Sequence, residues 1–119
     1  MPAQHKLSTK VVNLKEGMPF VREALSHMEL ELRRASKEGV QLLKFVHGYG
    51  STGKGGEIRI AVQKALMKRL HQHELKAVIF GENWRISDEA TWELCKNWPE
   101  LKKDCDIGRD NRGITVVVL

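Results

Sequence analysis

The segment His47-Gly48-Tyr49-Gly50-Ser51-Thr52-Gly53-Lys54-Gly55-Gly56 constrains this chain more than any other, with five glycines in ten residues. It follows an apolar run, Leu42-Leu43-Lys44-Phe45-Val46, and precedes Glu57-Ile58-Arg59-Ile60-Ala61-Val62. The apolar run reads as a strand buried on both faces or nearly so. The segment after the glycines opens an amphipathic helix. A strand that passes through a glycine-rich loop into a helix belongs to an α/β fold. Glycine lets the backbone turn sharply and its N–H groups converge. The first N–H groups of the helix have no intrahelical partner and carry the positive end of its dipole. Such a loop is suited to anions, phosphates first among them.

The rest of the chain alternates in the same way. Residues 9–14 contain Val11, Val12 and Leu14 and read as a short strand. A turn at Glu16-Gly17-Met18-Pro19 leads into a helix from Phe20, with Val21, Ala24, Leu25, Met28, Leu32 and Ala35 at helical spacing and Gly39 as its terminator. Residues 40–46 form the second strand and residues 56–73 the second helix. Ile58, Ala61, Val62, Ala65, Leu66 and Leu70 make the apolar stripe of that helix, and Lys64, Lys68 and His71 one polar flank. Residues 77–80 are a third strand. Ser87 is placed to cap a short helix that Pro99 ends. Residues 101–112 read as a polar loop, and residues 114–119 as the last strand. The fold class expected is α/β: a two-layer sandwich, a four-stranded mixed sheet with two long helices on one face. Residues 1–9 are expected to be a flexible arm and residues 10–119 one domain.

Length and composition agree with that reading. A chain of 119 residues can bury a core of its own, and 41% hydrophobic with 29% charged residues is the balance of a soluble globular protein. No stretch approaches the ~20 apolar residues of a membrane span. The polar first ten residues hold no apolar signal region, so secretion is not expected. Cys95 and Cys105 have no zinc-site spacing, and two free thiols in a cytoplasmic protein are the expectation. The formal charge of +5 and the sequence pI of about 9.4 favour an acidic partner, nucleic acid before an anionic membrane surface. The same charge also serves solubility alone in many small proteins.

Two nucleotide-binding patterns overlap the loop. Gly48, Gly50 and Gly53 match the dinucleotide fingerprint, but a strand and a helix precede it, and Glu82 lies well beyond the ~20 residues expected for the ribose-binding acid. Gly48 to Lys54 matches a P-loop, except that Gly55 stands where a hydroxyl should hold Mg²⁺. The larger pattern fits a third reading. His47-Gly48-Tyr49-Gly50, further glycines, then Ile58-Arg59 in the following helix resemble the small MutS-related (Smr) domain family. That family also carries Leu-Asp-Leu-His-Gly at its first strand and ends on a strand preceded by glycine. Here the last strand follows Gly113, and the first motif is degenerate: Asn13 stands for the Asp and Lys15 for the His. The resemblance covers roughly residues 10–119. It implies an Smr-type sheet, similar to the C-terminal domain of bacterial translation initiation factor three. It also implies nucleic-acid binding and endonuclease (hydrolase) action on DNA or RNA.

The residues then sort by chemistry. His47 is the candidate proton carrier, with a loop-fixing histidine as the alternative. Lys15 could steady phosphate charge as a catalytic partner, or be a solvated lysine. Asn13 can only hydrogen-bond where an Asp could take a proton or a metal. Gly48, Gly50, Gly53, Lys54 and Arg59 are the expected phosphate contacts, and Tyr49 the expected base-stacking ring. Among the tryptophans, Trp84 in its polar turn is the stacking candidate, while Trp92 and Trp98 suit the core. Arg109 and Arg112 could extend the basic surface, though a charge run of this kind reads first as a solvated face. No metal ligands are predicted, and the sequence leaves the cofactor unassigned. Losing the Asp and His of the first motif places binding ahead of cleavage. The alternative is a small nucleotide- or phosphate-binding module that uses the loop without acting on nucleic acid.

Overall fold

The computed structural model describes residues 6–50 and 54–119. Its elements are β1 (Thr9–Asn13), α1 (Val21–Glu38), β2 (Leu42–Val46), α2 (Lys54–His71), β3 (Ala77–Phe80), α3 (Glu89–Asn97) and β4 (Ile114–Val118), with single 3-10 turns at Gly81–Asn83 and Pro99–Lys103. The four strands form one mixed sheet in the order β1-β2-β4-β3. β1 and β2 are parallel, with Asn13 opposite Val46, and β4 runs antiparallel to both β2 and β3. The ends of β1, β2 and β3 and the start of β4 therefore share one edge.

Local chemistry sets the boundaries. Gly39 ends α1 in the left-handed region, at φ 75°, with its N–H on the carbonyls of Ala35 and Ser36. Glu23 Oε1 accepts the Phe20 N–H at the start of the same helix. The short helix is capped by Asp88, which accepts from the Thr91 N–H, one residue later than Ser87. A carboxylate holds that position better than a hydroxyl because it also complements the helix dipole. Leu7 packs against the sheet, and the Ser8 carbonyl accepts from the N–H groups of Gln41 and Leu42, so the residues just before β1 join its pairing.

The α/β expectation holds, and both long helices pack on one face. Val12, Leu43, Phe45 and Val117 meet Ala24, Met28, Leu32, Ala35, Ile58, Val62 and Leu66 there. The opposite face is also covered. Leu42, Ile79, Ile114, Val116 and Val118 meet Trp84, Leu94, Cys95 and Leu101 from α3 and the segments beside it. This accounts for the all-buried pattern of β4. It also corrects the reading of residues 101–112 as a plain polar loop. The segment buries Leu101 and packs Ile107 against the same cluster, and its carboxylates serve a buried cation. Lys44 lies on this second face, 6% exposed, with its Nζ 2.8 Å from both Asp104 oxygens and 2.7 Å from Asp106 Oδ2. An unpaired ammonium there would cost several kcal/mol (~3–5), and two carboxylates offset that.

Among the described residues, no helix is long and apolar enough to cross a membrane.

Candidate functional site

The shared edge of the sheet holds an open cleft of about 530 Å³, lined by Lys15, Val46, Gly48, Tyr49, Asp110, Asn111, Arg112, Gly113 and Ile114. Its walls come from three connections: the turn after β1, the loop after β2 and the approach to β4. The first is fixed by Asn13, whose Oδ1 accepts from the N–H groups of Lys15 at 2.9 Å and Glu16 at 3.0 Å. An asparagine or aspartate side chain that caps its own turn in this way sets the chain direction after the strand. Asn13 thus aims Lys15 at the cleft. The aliphatic stem of Lys15 crosses Gly48, where an added Cβ would stand 3.3 Å from its Cδ.

The loop after β2 is held from below. The Gly113 carbonyl accepts from the His47 N–H at 2.9 Å and the Gly48 N–H at 3.0 Å. The Gly48 amide, expected to face an anion, is thereby committed to the sheet. Gly48 and Gly50 have φ of 81° and 93°, and they present Tyr49 outward between them. Tyr49 is 51% exposed. The Arg59 Nε donates to the Tyr49 carbonyl at 3.3 Å, and its guanidinium lies 5.2 Å from the ring centroid. Arg59, expected to contact phosphate, acts here as a clamp on the loop. Gly53 and the Lys54 side chain lie outside the described residues.

His47 is fully buried. Its Nδ1 lies 2.8 Å from the Gly48 carbonyl, which can only accept, so Nδ1 carries the proton. Its Nε2 then accepts from the Thr115 hydroxyl at 2.8 Å, and Thr115 Oγ1 accepts from Gln63 Nε2 at 3.1 Å. Burial, above all, pushes the pKa of this imidazole below its ordinary value, and the nearby Arg59 charge adds to the effect against the Gly48 hydrogen bond and Glu82. The ring is neutral at pH 7, and both its nitrogens are engaged inside the protein.

The third wall was not legible in the sequence. Asn111 Oδ1 accepts from the Gly113 N–H at 3.0 Å, and Asn111 Nδ2 donates to Asp106 Oδ1 at 2.9 Å. Arg112 is exposed and pairs with Asp110 at 3.4 Å; the Asp110 charge first, with the Tyr49 phenol, raises its pKa. Exposed pairs of this kind are weak and readily exchange partners. Thr115 had a faint signal, since it interrupts an apolar run, whereas Gln63 only ends one. Arg112 had none beyond its charge. Trp84, expected as a stacking ring, is instead core: it is 1% exposed, and its Nε1 donates to Asp104 Oδ2 at 2.9 Å. The half-buried Asp104 carboxylate gave the indole N–H a partner that the polar neighbours in sequence concealed. Trp92 is the more exposed, at 44%, with Lys102 over its ring.

Asp104, Cys105 and Asp106 are the one cluster with metal-ligand spacing among the described residues, and the Lys44 ammonium sits between the two carboxylates.

The crystal structure of the Smr domain of Thermus thermophilus MutS2 superimposes on this chain with a TM-score of 0.53, covering 94% of this chain and 96% of that one at 20% sequence identity. The chain has the Smr fold. No protein-family profile matches the sequence, and no curated protein sequence does. The Smr fold therefore rests on architecture, and it places His47-Gly48-Tyr49-Gly50 at the end of β2 beside the degenerate first motif at the end of β1.

Proposed function

We propose that this domain binds nucleic acid along its phosphate backbone at the cleft on the shared strand edge. The observation that carries the reading is that Lys15, Arg112 and the exposed Tyr49 line one open cleft. Lys15 is aimed there by the Asn13 turn, and Arg112 can trade its weak pair with Asp110 for a phosphate. The volume lies within the ~300–1,000 Å³ common for ligand sites, and its openness to solvent suits a polymer that passes through. The Smr fold and the net charge of +5 support the same reading. We take residues 10–119 to act as one domain in the cytoplasm, with no cofactor assigned.

Binding stands ahead of cleavage in this reading. A nuclease built on His47 would need a ring nitrogen free to exchange protons with substrate, and both are engaged. The role that fits His47 is to hold the loop, and with Asn13 capping a turn, neither residue of the two motifs supplies a base. Lys15 keeps its part as a phosphate contact.

The test is a salt titration of binding to labelled DNA and RNA, with cutting scored in the same samples. Lys15→Ala and Arg112→Ala should each weaken binding across unrelated sequences. Each should flatten the slope of log K against log salt by about 0.7–0.9 for every phosphate that the removed cation had neutralised. Slopes identical to wild type in both variants would move the interface elsewhere. Cutting that His47→Ala abolishes while binding persists would reinstate the nuclease reading.

A further inference from the structure

We infer that the site is selective for single-stranded nucleic acid, with Tyr49 as a fixed platform for one unpaired base. This rests on the nucleic-acid reading above and adds the class of substrate. Tyr49 leaves half of its surface in water in the middle of a loop whose neighbours are glycines. Left-handed φ at Gly48 and Gly50, on either side, is what turns it outward. The ring does not hang free. Arg59 holds the backbone through the Tyr49 carbonyl and lies against the ring, and the phenol reaches the neighbourhood of Arg112. An exposed aromatic side chain held in this way has already lost the rotamer freedom that binding would otherwise have to freeze.

The chemistry then selects the partner. Away from the ends of a duplex each base is covered above and below by its neighbours, so a protein ring can stack there only on a base that has left the helix. A ring beside phosphate-binding cations fits a strand whose base lies on Tyr49 while the flanking phosphates meet Lys15 and Arg112. Stacking is tolerant of base identity and involves no released counterion. Tyr49 and the two cations should therefore separate by salt: the cations set the slope, and the ring sets an offset.

The experiment measures fluorescence anisotropy of one short labelled sequence, single-stranded and as a blunt duplex, in DNA and RNA, over a range of salt. Wild type should prefer the single strand. Tyr49→Ala should lose affinity for the single strand by about tenfold, with an unchanged salt slope. Tyr49→Phe should recover most of the loss, because stacking needs the ring and not the hydroxyl. Equal affinity for duplex and single strand, or a Tyr49→Ala protein that binds the single strand like wild type, would overturn the inference while the Lys15 and Arg112 slopes still upheld nucleic-acid binding. No salt-dependent binding of either form would overturn both. Tyr49 is the only tyrosine in the chain, so its ring resonances give a second reading, expected to shift with the single strand and not with the duplex.

Discussion

Burial changes what an imidazole can do. His47 lies where the sequence places a proton carrier, yet it is closed in a chain of hydrogen bonds from Gln63 through Thr115 to Nε2, and from Nδ1 to Gly48. Its folded pKa is lowered from the ordinary 6.5. The unfolded chain therefore takes up the proton first as pH falls, and folding stability declines below about pH 6.5. Above that pH both states hold a neutral ring and the contribution is flat. Denaturant unfolding from about pH 7.5 to about pH 5 should show this loss, and His47→Gln should remove that component of the pH slope. His47→Ala should cost about 2–4 kcal/mol at pH 7, from the cavity and the stranded Thr115 partner. A variant as stable as wild type at every pH would show that the ring is not held as described. The motif revealed that a histidine matters here. Its burial depended on Thr115 and Gln63, from two other elements, which no local pattern connects.

At the scale of elements, the approach to β4 is built from the opposite side of the sheet. Lys44 in β2 holds Asp106, Asp106 holds Asn111, and Asn111 holds the Gly113 amide beside the cleft. Burial works upward on the Asp106 pKa, and the hydrogen bonds from Lys44 and Asn111 outweigh it, so the carboxyl titrates below its ordinary value. The stability this adds is present above the unfolded pKa, near 3.9, and is lost as pH falls through the folded one. Lys44→Met should therefore cost about 3–5 kcal/mol at neutral pH, because it leaves two carboxylates crowded against an apolar face. Adding Asp104→Asn and Asp106→Asn should recover part of the loss, with urea unfolding as the measurement. A second contact makes the same wall rigid. A Cβ on Gly81 would lie 1.7 Å from the Asn111 carbonyl oxygen. Gly81→Ala should destabilise by about 3 kcal/mol or more, since backbone rather than a flexible side chain must move. A mild effect in the same unfolding assay would show that the two backbones separate easily. Helices α1 and α2 were legible because their apolar residues repeat at helical spacing, from Val21 to Ala35 and from Ile58 to Leu70. The segment from Pro99 to Gly113 was not, because ion pairs and two apolar anchors, Leu101 and Ile107, carry it without a period.

Across the whole molecule, strand and helix order followed from alternation in the sequence, but neighbour relations in the sheet did not. Nothing local to residues 114–118 says that they lie between β2 and β3. That placement decides which loops meet, and so it decides the cleft. Tyr49 and Lys15 could be paired from parallel β1 and β2, whereas Arg112 could join them only once β4 was known to enter beside β2. Trp84 became legible in the same way, since its polar neighbours in sequence hide the Asp104 that lies across the second face.

The central position of β4 also orders how the molecule comes together. β1, α1 and β2 form a unit with local connections, and α2 can settle on it early. β3 has no strand beside it until residues 114–118 insert, because within the sheet it pairs with β4 alone. Of the four strands, the one synthesised last is thus the one that joins the two halves of the sheet, and long-range pairing of this kind is entropically late. Until it inserts, the Gly113 carbonyl is not in place to hold His47 and Gly48. The edge that carries the cleft is therefore complete only once the last strand is in place, and a chain short of that step leaves the loop after β2 without its anchor.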